Sequence, residues 1–250
     1  MNRLHKSLLI AFAILIGGCA TAPHSHDPLE PVNRTIFKFN EVADKIVVRP
    51  IAKGYRSYVP SVVRTGVRNF FRNLGVLNTA LNDALQLKPK SVPVDLARFT
   101  TNFIFGVGGI FDVATDMGIP YNKEDFGQTM GYWGIGSGPY IVLPLLGPST
   151  LRDTLAKPVG FATDPTSYIA DDSTRYKLLG LQIIDTRANL IDAESMLSNA
   201  ARDKYSFIRD TWLQRREYQI NDGRKANSSG EIGQQTKSLR ELELEEFGDY

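Results

Sequence analysis

Val32, Ile36, Phe39, Ala43 and Ile46 follow one another at intervals of four, three, four and three residues, a spacing that lays one apolar stripe along a helix. The helix opens at Pro31 and is expected to stop before Arg49-Pro50, because proline cannot continue helical hydrogen bonding. A short helical piece is expected from Ile51 to Tyr58, ended by Pro60. Val63, Val67, Phe70, Leu74, Leu77, Leu81 and Leu85 then repeat the helical spacing as far as Lys88-Pro89. Asn69, Asn73, Asn78 and Asn82, with Arg64, Arg68 and Arg72, give that helix a polar face. A third segment begins at Ser91 and carries Pro93 in its first turn, where proline is tolerated, towards Phe105.

From Gly106 to Gly147 the composition changes: about half of the 21 glycines lie there, among Phe111, Phe126, Tyr132, Trp133, Tyr140 and the run from Ile141 to Leu146. Turns, short helices and a hairpin fit this stretch better than a regular sheet. Its aromatic side chains have two readings, an ordinary core or a surface that meets lipid. Ser149 or Thr150 caps a helix running into Phe161, and Asp164-Pro165 marks a turn. Asp172 or Ser173 caps a long pattern through Tyr176, Leu179, Ile183, Leu190 and Leu197, continuing after Asp203 to about Ile220 and read as core packing.

The chain opens on a leader. Arg3 and Lys6 precede an apolar stretch from Leu8 to Ile16, too short to span a bilayer, which takes roughly 20 residues. Gly17-Gly18 leads to Cys19, the single cysteine of the chain. Ile16-Gly-Gly-Cys19 resembles a bacterial lipobox, with Ile in place of the commoner Leu, so Cys19 is expected to carry the lipid anchor after cleavage. Several acyl chains, each methylene worth about 0.8 kcal/mol when buried, hold such a protein on a membrane. Ala20 after the cysteine is the pattern of lipoproteins sorted to the outer membrane, and 21–28 (TAPHSHDP) is a polar tether.

The histidines, His5, His24 and His26, all fall in the leader or the tether. The body therefore lacks the imidazole that a Ser-His-Asp triad, a Cys-His pair or a histidine-ligated zinc requires. Gly106-Val-Gly-Gly109 and Gly134-Ile-Gly-Ser-Gly138 sit in no strand-loop-helix unit and are weak nucleotide loops. Asp112 and Asp116, one helical turn apart, are a weak acid/base pair, and Asp112 reads equally as a cap. Without Arg3 and Lys6 the chain holds 27 basic and 27 acidic residues, no charge surplus for a nucleic-acid groove. No apolar run after the leader reaches about 18 residues. An anchored helical body lying within one leaflet, apolar face outward and polar groups turned to an inner passage, accounts for these features together.

Several blocks in order resemble the VacJ/MlaA outer-membrane lipoproteins: Asp27 to Asn40 (DPLEPVNRTIFKFN), Arg49-Pro50, Tyr58-Val-Pro60, Arg98-Phe99, Asn102-Phe103 and Gly106 to Val113. Phe126-Gly127, Gly131-Tyr132, Gly134 to Tyr140, Leu143-Pro144, Thr150 to Asp153, Thr186-Arg187 and Leu190 to Asp192 continue them. The resemblance implies a mainly α fold, a ring of helices embedded in the periplasmic leaflet around a central amphipathic channel, with a glycine-rich loop or short hairpin. It further implies binding to a trimeric outer-membrane porin, retrieval of mislocalised phospholipid from the outer leaflet, and delivery to a soluble periplasmic carrier. Neither an enzyme activity nor a cofactor is expected; a non-conducting envelope scaffold is the alternative.

The expected organisation is a signal peptide at 1–18, a lipidated tether at 19–28, a helical domain at 29–221 and a polar acidic, disordered tail at 222–250. Tyr132, Gly134, Gly136, Gly138 and Tyr140 are candidates for a flexible loop beside the passage. Phe126 and Trp133 are candidates for leaflet or porin contact.

Overall fold

The computed structural model describes residues 27–194 and 203–223. The leader, Cys19, nearly all of the tether and all but the start of the acidic tail lie outside them. Helices dominate: α1 (Glu30–Ala43), α2 (Arg49–Tyr58), α3 (Ser61–Leu85), α4 (Ser91–Ile104), the short α5 (Val113–Asp116) and α6 (Phe126–Tyr132), α7 (Leu151–Thr163), α8 (Asp172–Asn189) and α9 (Lys204–Ile220). Strands β1 (Tyr140–Leu143) and β2 (Gly147–Thr150) form one antiparallel hairpin, with Tyr140 opposite Thr150 and Leu143 opposite Gly147.

The first helix does not stop at Arg49-Pro50. A π-helical turn, Asp44–Val48, joins α1 to α2, and the Arg49 amide reaches back five residues to the Asp44 carbonyl. The wider turn gives the Pro50 ring the room that an α-helical turn denies it. The expected long element from Asp172 to Ile220 is also corrected: α8 is capped by the Asp171 carboxylate and ends at Asn189, and α9 starts afresh behind Asp203, whose side chain accepts from the Tyr205 amide. Thr150 caps α7, accepting from the Asp153 amide, as the sequence indicates, and at the expected turn Asp164 caps the 3-10 turn Pro165–Tyr168.

Burial is inverted relative to a domain folded in water. Among the described residues, 19 polar or charged residues are buried against ten apolar ones, while 36 large apolar side chains are exposed. The α1 stripe is split: Val32, Phe39 and Ile46 point outward, Ile46 at 68% exposure, while Ile36 and Phe37 pack against Tyr140, Val142 and Tyr205. On α3, Val63, Leu81 and Leu85 are exposed and Asn73, Thr79, Asn82 and Asp83 are buried. On α8 the core reading fails, since Tyr176, Leu179 and Ile183 are exposed and Asp185 and Ala188 are inside. Each apolar side chain left outside forgoes roughly 1.5–3 kcal/mol of burial. Among the described residues, no helix is long and apolar enough to cross a membrane.

Asp27, placed by sequence in the tether, is wholly buried and held by Asn33 Nδ2 (2.9 Å), the Tyr205 hydroxyl and Arg209 Nη1 (3.3 Å). The folded body therefore begins at least two residues earlier than expected. Asp222, placed in the tail, is paired with Lys88.

Candidate functional site: a polar interior and its glycine loop

Helices α3 and α4 pack against each other through polar residues. Arg98, 1% exposed, directs Nη2 to both Asp112 oxygens (2.6 and 2.7 Å) and to Thr115 Oγ1 (2.7 Å), and Nη1 to the Ile119 carbonyl (2.5 Å). Asn102 donates to Asp112 and accepts from the Ala114 amide, and Asp112 caps α5. Asp112 is thus a cap and an ion-pair partner, which leaves Asp112 and Asp116 no acid/base arrangement. Burial pushes the Asp112 carboxyl up, but Thr115, Asn102, Arg98 and Arg72 outweigh it and hold it below the ordinary carboxylate range. Burial in turn lowers the Arg98 guanidinium. Arg72 lies over the Tyr121 ring at 3.9 Å.

One turn further along, a chain of hydrogen bonds crosses from α3 to α6. Asn82 donates to Asn78, Thr129 Oγ1 donates to Asn82 Oδ1 (2.8 Å), and Gln86 Nε2 donates to Thr129 (3.2 Å) and to Glu124 (2.9 Å). Lys88 completes it, 3.3 Å from Glu124. Burial raises the Glu124 carboxyl despite Gln86 and Lys88. Burial likewise raises Asp95, on α4, and the facing carboxyl of Asp83 raises it further. Both are almost fully buried, and each leaves one oxygen without a hydrogen bond.

A third cluster ties α6, α7 and α9 together. Arg216 meets Asp125 through two 2.6 Å contacts and Asp153 through contacts of 2.9 and 3.1 Å. Burial raises the Asp125 carboxyl, yet the bidentate Arg216 overrides it and holds Asp125 at about 2. Arg152 pairs with Asp153 and donates to the Ile135 carbonyl, which fastens the loop after α6 to α7.

That loop contains most of the residues singled out in the sequence. Tyr132 closes α6, and residues 132–138 are all exposed. Gly134 has φ +86°, its amide bonds to the Gly131 carbonyl, and the Ile135 amide reaches the Met130 carbonyl. This pair of bonds is the left-handed helix terminus that glycine favours, so Gly134 has a fixed conformational role. Gly138 also has positive φ and abuts Leu151, whereas a Cβ at Gly136 would meet open space.

Tyr140 departs from the expectation: it lies in β1, not in the loop, and its ring is buried against Tyr205 and Trp212. Trp133 is exposed, with its indole N–H bound to the Leu85 carbonyl at the end of α3, and Phe126 is half-buried at the start of α6. Sequence reasoning marked Asn73, Asn78 and Asn82 as a polar face, but assigned no site role to Arg98, Gln86, Glu124, Thr129, Arg152 or Arg216. Polar residues at the buried phase of a helical repeat were the available signal.

The described fold agrees with a set of known proteins. Residues 25–219 match the family model described as MlaA lipoprotein. The chain belongs to the MlaA lipoprotein family. It is 35% identical over 229 residues to the intermembrane phospholipid transport system lipoprotein MlaA of Escherichia coli (strain K12), covering 88% of this chain and 90% of the relative. The protein of the same description from Haemophilus influenzae (strain ATCC 51907 / DSM 11121 / KW20 / Rd) is 34% identical over 237 residues, covering 89% of this chain and 94% of the relative. A solved structure described as "Structural basis for maintenance of bacterial outer membrane lipid asymmetry" superposes with a TM-score of 0.67 at 34% identity, covering 78% of this chain and 98% of that one. MlaA family members thus share this helical body, and the resemblance drawn from the motif blocks holds.

Proposed function

We propose that this lipoprotein withdraws mislocalised phospholipid from the outer leaflet of a Gram-negative outer membrane and passes it to a soluble periplasmic carrier, which maintains lipid asymmetry. The observation that carries this reading is the inverted burial, with apolar side chains outward and polar groups inward in a family member with no spanning helix among the described residues. Lipid around the exposed side chains supplies the apolar solvent that water does not. Cys19 supplies the anchor, a porin trimer the lateral support, and the helices a ring around a passage.

A headgroup moved through hydrocarbon unpaired costs several kcal/mol, and a wall of hydrogen-bonding groups removes most of that barrier. Acyl chains meanwhile stay against apolar surface. The chain needs no nucleophile for this, because the lipid is moved and not cut. The loop with Gly134, Gly136 and Gly138, flanked by Tyr132, stands beside the passage, and Phe126 and Trp133 meet the leaflet or the porin.

Deleting the gene and measuring surface-exposed phospholipid in whole cells, with complementation by wild type and by Cys19→Ala, tests the reading. Exposed phospholipid is expected to rise on deletion and to fall again only with the anchored form. An unchanged outer leaflet overturns transport and leaves the scaffold.

A further inference from the structure

Arg152 meets the loop after α6 through both its backbone and its side chain. Its amide donates to the Ser137 carbonyl at 3.1 Å, its Nη1 donates to the Ile135 carbonyl at 3.1 Å, and the adjacent Leu151 amide donates to the Pro139 carbonyl at 3.0 Å. Alternate carbonyls of the loop, at 135, 137 and 139, are thus taken by two consecutive residues at the start of α7. The two backbone bonds follow the course of the chain, whereas the bond to Ile135 depends on one side chain.

That side chain has a path kept open for it. Arg152 is 4% exposed and passes the end of α6 at Gly131, where a Cβ would lie 2.9 Å from Nη1 and 3.0 Å from Ile220 Cγ2. Arg152 Nε donates to Asp153 at 3.1 Å, Asp153 also receives Arg216 of α9, and Arg216 grips Asp125, the cap of α6. One chain of charges therefore runs from the start of α6, by way of α9 and α7, to the loop beyond its end. Its links are unequal. Arg216 meets two carboxylates through four contacts, while Arg152 holds the loop by a single side-chain bond to a neutral carbonyl, and its Nη2 is buried with no hydrogen bond among the described residues. Paired charges in bidentate contact outlast a single bond to a neutral acceptor, so the loop end is the link that yields first.

We propose that Arg152 is a positioning residue for lipid passage: through its bond to Ile135 it decides whether the glycine loop lies against α7 or swings free. Gly136, between the two carbonyls that Arg152 holds, has nothing within 4 Å of a Cβ, so packing at that point adds no hold of its own. One hydrogen bond from a charged donor biases such a loop by about tenfold or more, enough to set its position and little enough to be released. The assignment rests on the transport reading above and deepens it by naming what sets the loop's position.

The test places a nitroxide label on Gly136→Cys in the full-length lipidated protein extracted in detergent; with Cys19 taken by the anchor, the new cysteine is the single free thiol of the chain. Electron paramagnetic resonance reads the mobile fraction of the loop. Arg152→Gln is expected to raise that fraction about tenfold. Asp153 keeps Arg216 in this variant, and Thr150 keeps its bond to the Asp153 amide, so the rest of the cluster stays in place. Gly131→Ala, which displaces Nη1 with the arginine still present, is expected to free the label in the same way, and Arg152→Lys, which retains a charged donor, to lie between wild type and Arg152→Gln. Thermal unfolding is measured alongside, because a merely structural role lowers the melting temperature without moving the label. In cells, unlabelled Arg152→Gln is expected to raise surface-exposed phospholipid at wild-type protein level, and Arg152→Lys to restore part of the asymmetry. An unmoved label in both Arg152→Gln and Gly131→Ala overturns the assignment. A freed label with wild-type asymmetry overturns the part of Arg152 in passage; either result leaves transport standing. If gene deletion itself leaves the outer leaflet unchanged, the transport reading falls, and the assignment falls with it.

Discussion

Asn33 and Asn40, two helical turns apart on α1, each close two hydrogen bonds with the backbone of the hairpin, Asn33 along the free edge of β1 and Asn40 where β1 runs into the turn. Asn33 donates to the Tyr140 carbonyl (3.0 Å) and accepts from the Val142 amide (2.9 Å); Asn40 donates to the Leu143 carbonyl (2.9 Å) and accepts from the Leu145 amide (2.8 Å). Each carboxamide takes the place of a peptide group in a neighbouring strand, so a helix covers a sheet edge without leaving its backbone groups unpaired.

Asn33→Ala is expected to destabilise the protein by about 2–3 kcal/mol, since it strands buried groups in β1 and at Asp27. Asn40→Ala, at a position more open to water, is expected to cost about 1 kcal/mol. Thermal unfolding of the detergent-extracted protein gives both values; two small and equal shifts would show that the strand edge needs neither amide.

The Arg98–Asp112 pair makes a second prediction. Arg98→Met leaves the largely buried Asp112 carboxylate with Asn102 and Thr115 and with Arg72 only at 3.8 Å. The expected cost is about 3–5 kcal/mol, as for other broken buried pairs. Arg98→Met combined with Asp112→Asn is expected to cost less than the two single changes added together, and a double-mutant cycle by denaturant unfolding measures the difference. Strict additivity would mean that the two side chains act separately.

Asp95 faces Asp83 in the α3–α4 interface, and burial raises its carboxyl pKa. A carboxyl raised in the folded state above its unfolded value destabilises the protein as pH climbs from the ordinary carboxylate range through the raised value, and has no such effect below that range. Asp95→Asn supplies a permanent donor to Asp83 and is expected to raise the melting temperature at pH 8 by a few degrees, about 1 kcal/mol for a chain of this size. At pH 4 wild type and variant should melt together. A gap of the same size at both pH values would remove the proton from the explanation.

Within the glycine loop, the conformations separate folding from function. Gly134→Val forces a branched residue into φ +86° and is expected to cost about 1–3 kcal/mol. Gly136→Val meets nothing within 4 Å and is expected to leave the melting temperature nearly unchanged. If loop movement serves lipid passage, Gly136→Val raises surface-exposed phospholipid in cells while folding normally. Wild-type asymmetry in that variant would make the loop a static turn.

The sequence by itself determined where most of the long helices lie, the cap at Thr150 and the turn at Asp164-Pro165, because spacing, proline and capping chemistry act over a few neighbouring residues. The family motifs, too, were legible in sequence. Only the tertiary structure decided which face of each helix turned inward. Periodicity marks an apolar side without saying whether protein or another apolar medium covers it, and here Val32, Phe39 and Ile46 face out while Asn33 and Asn40 face in. The continuation of α1 through Pro50 depended on a π turn, a backbone choice that the proline rule does not anticipate. Asn33 with Val142, Arg187 with Asp44 and Arg216 with Asp125 are separated by 109, 143 and 91 residues. Their pairing depends on how the helices are arranged in space, and no local pattern carries that information.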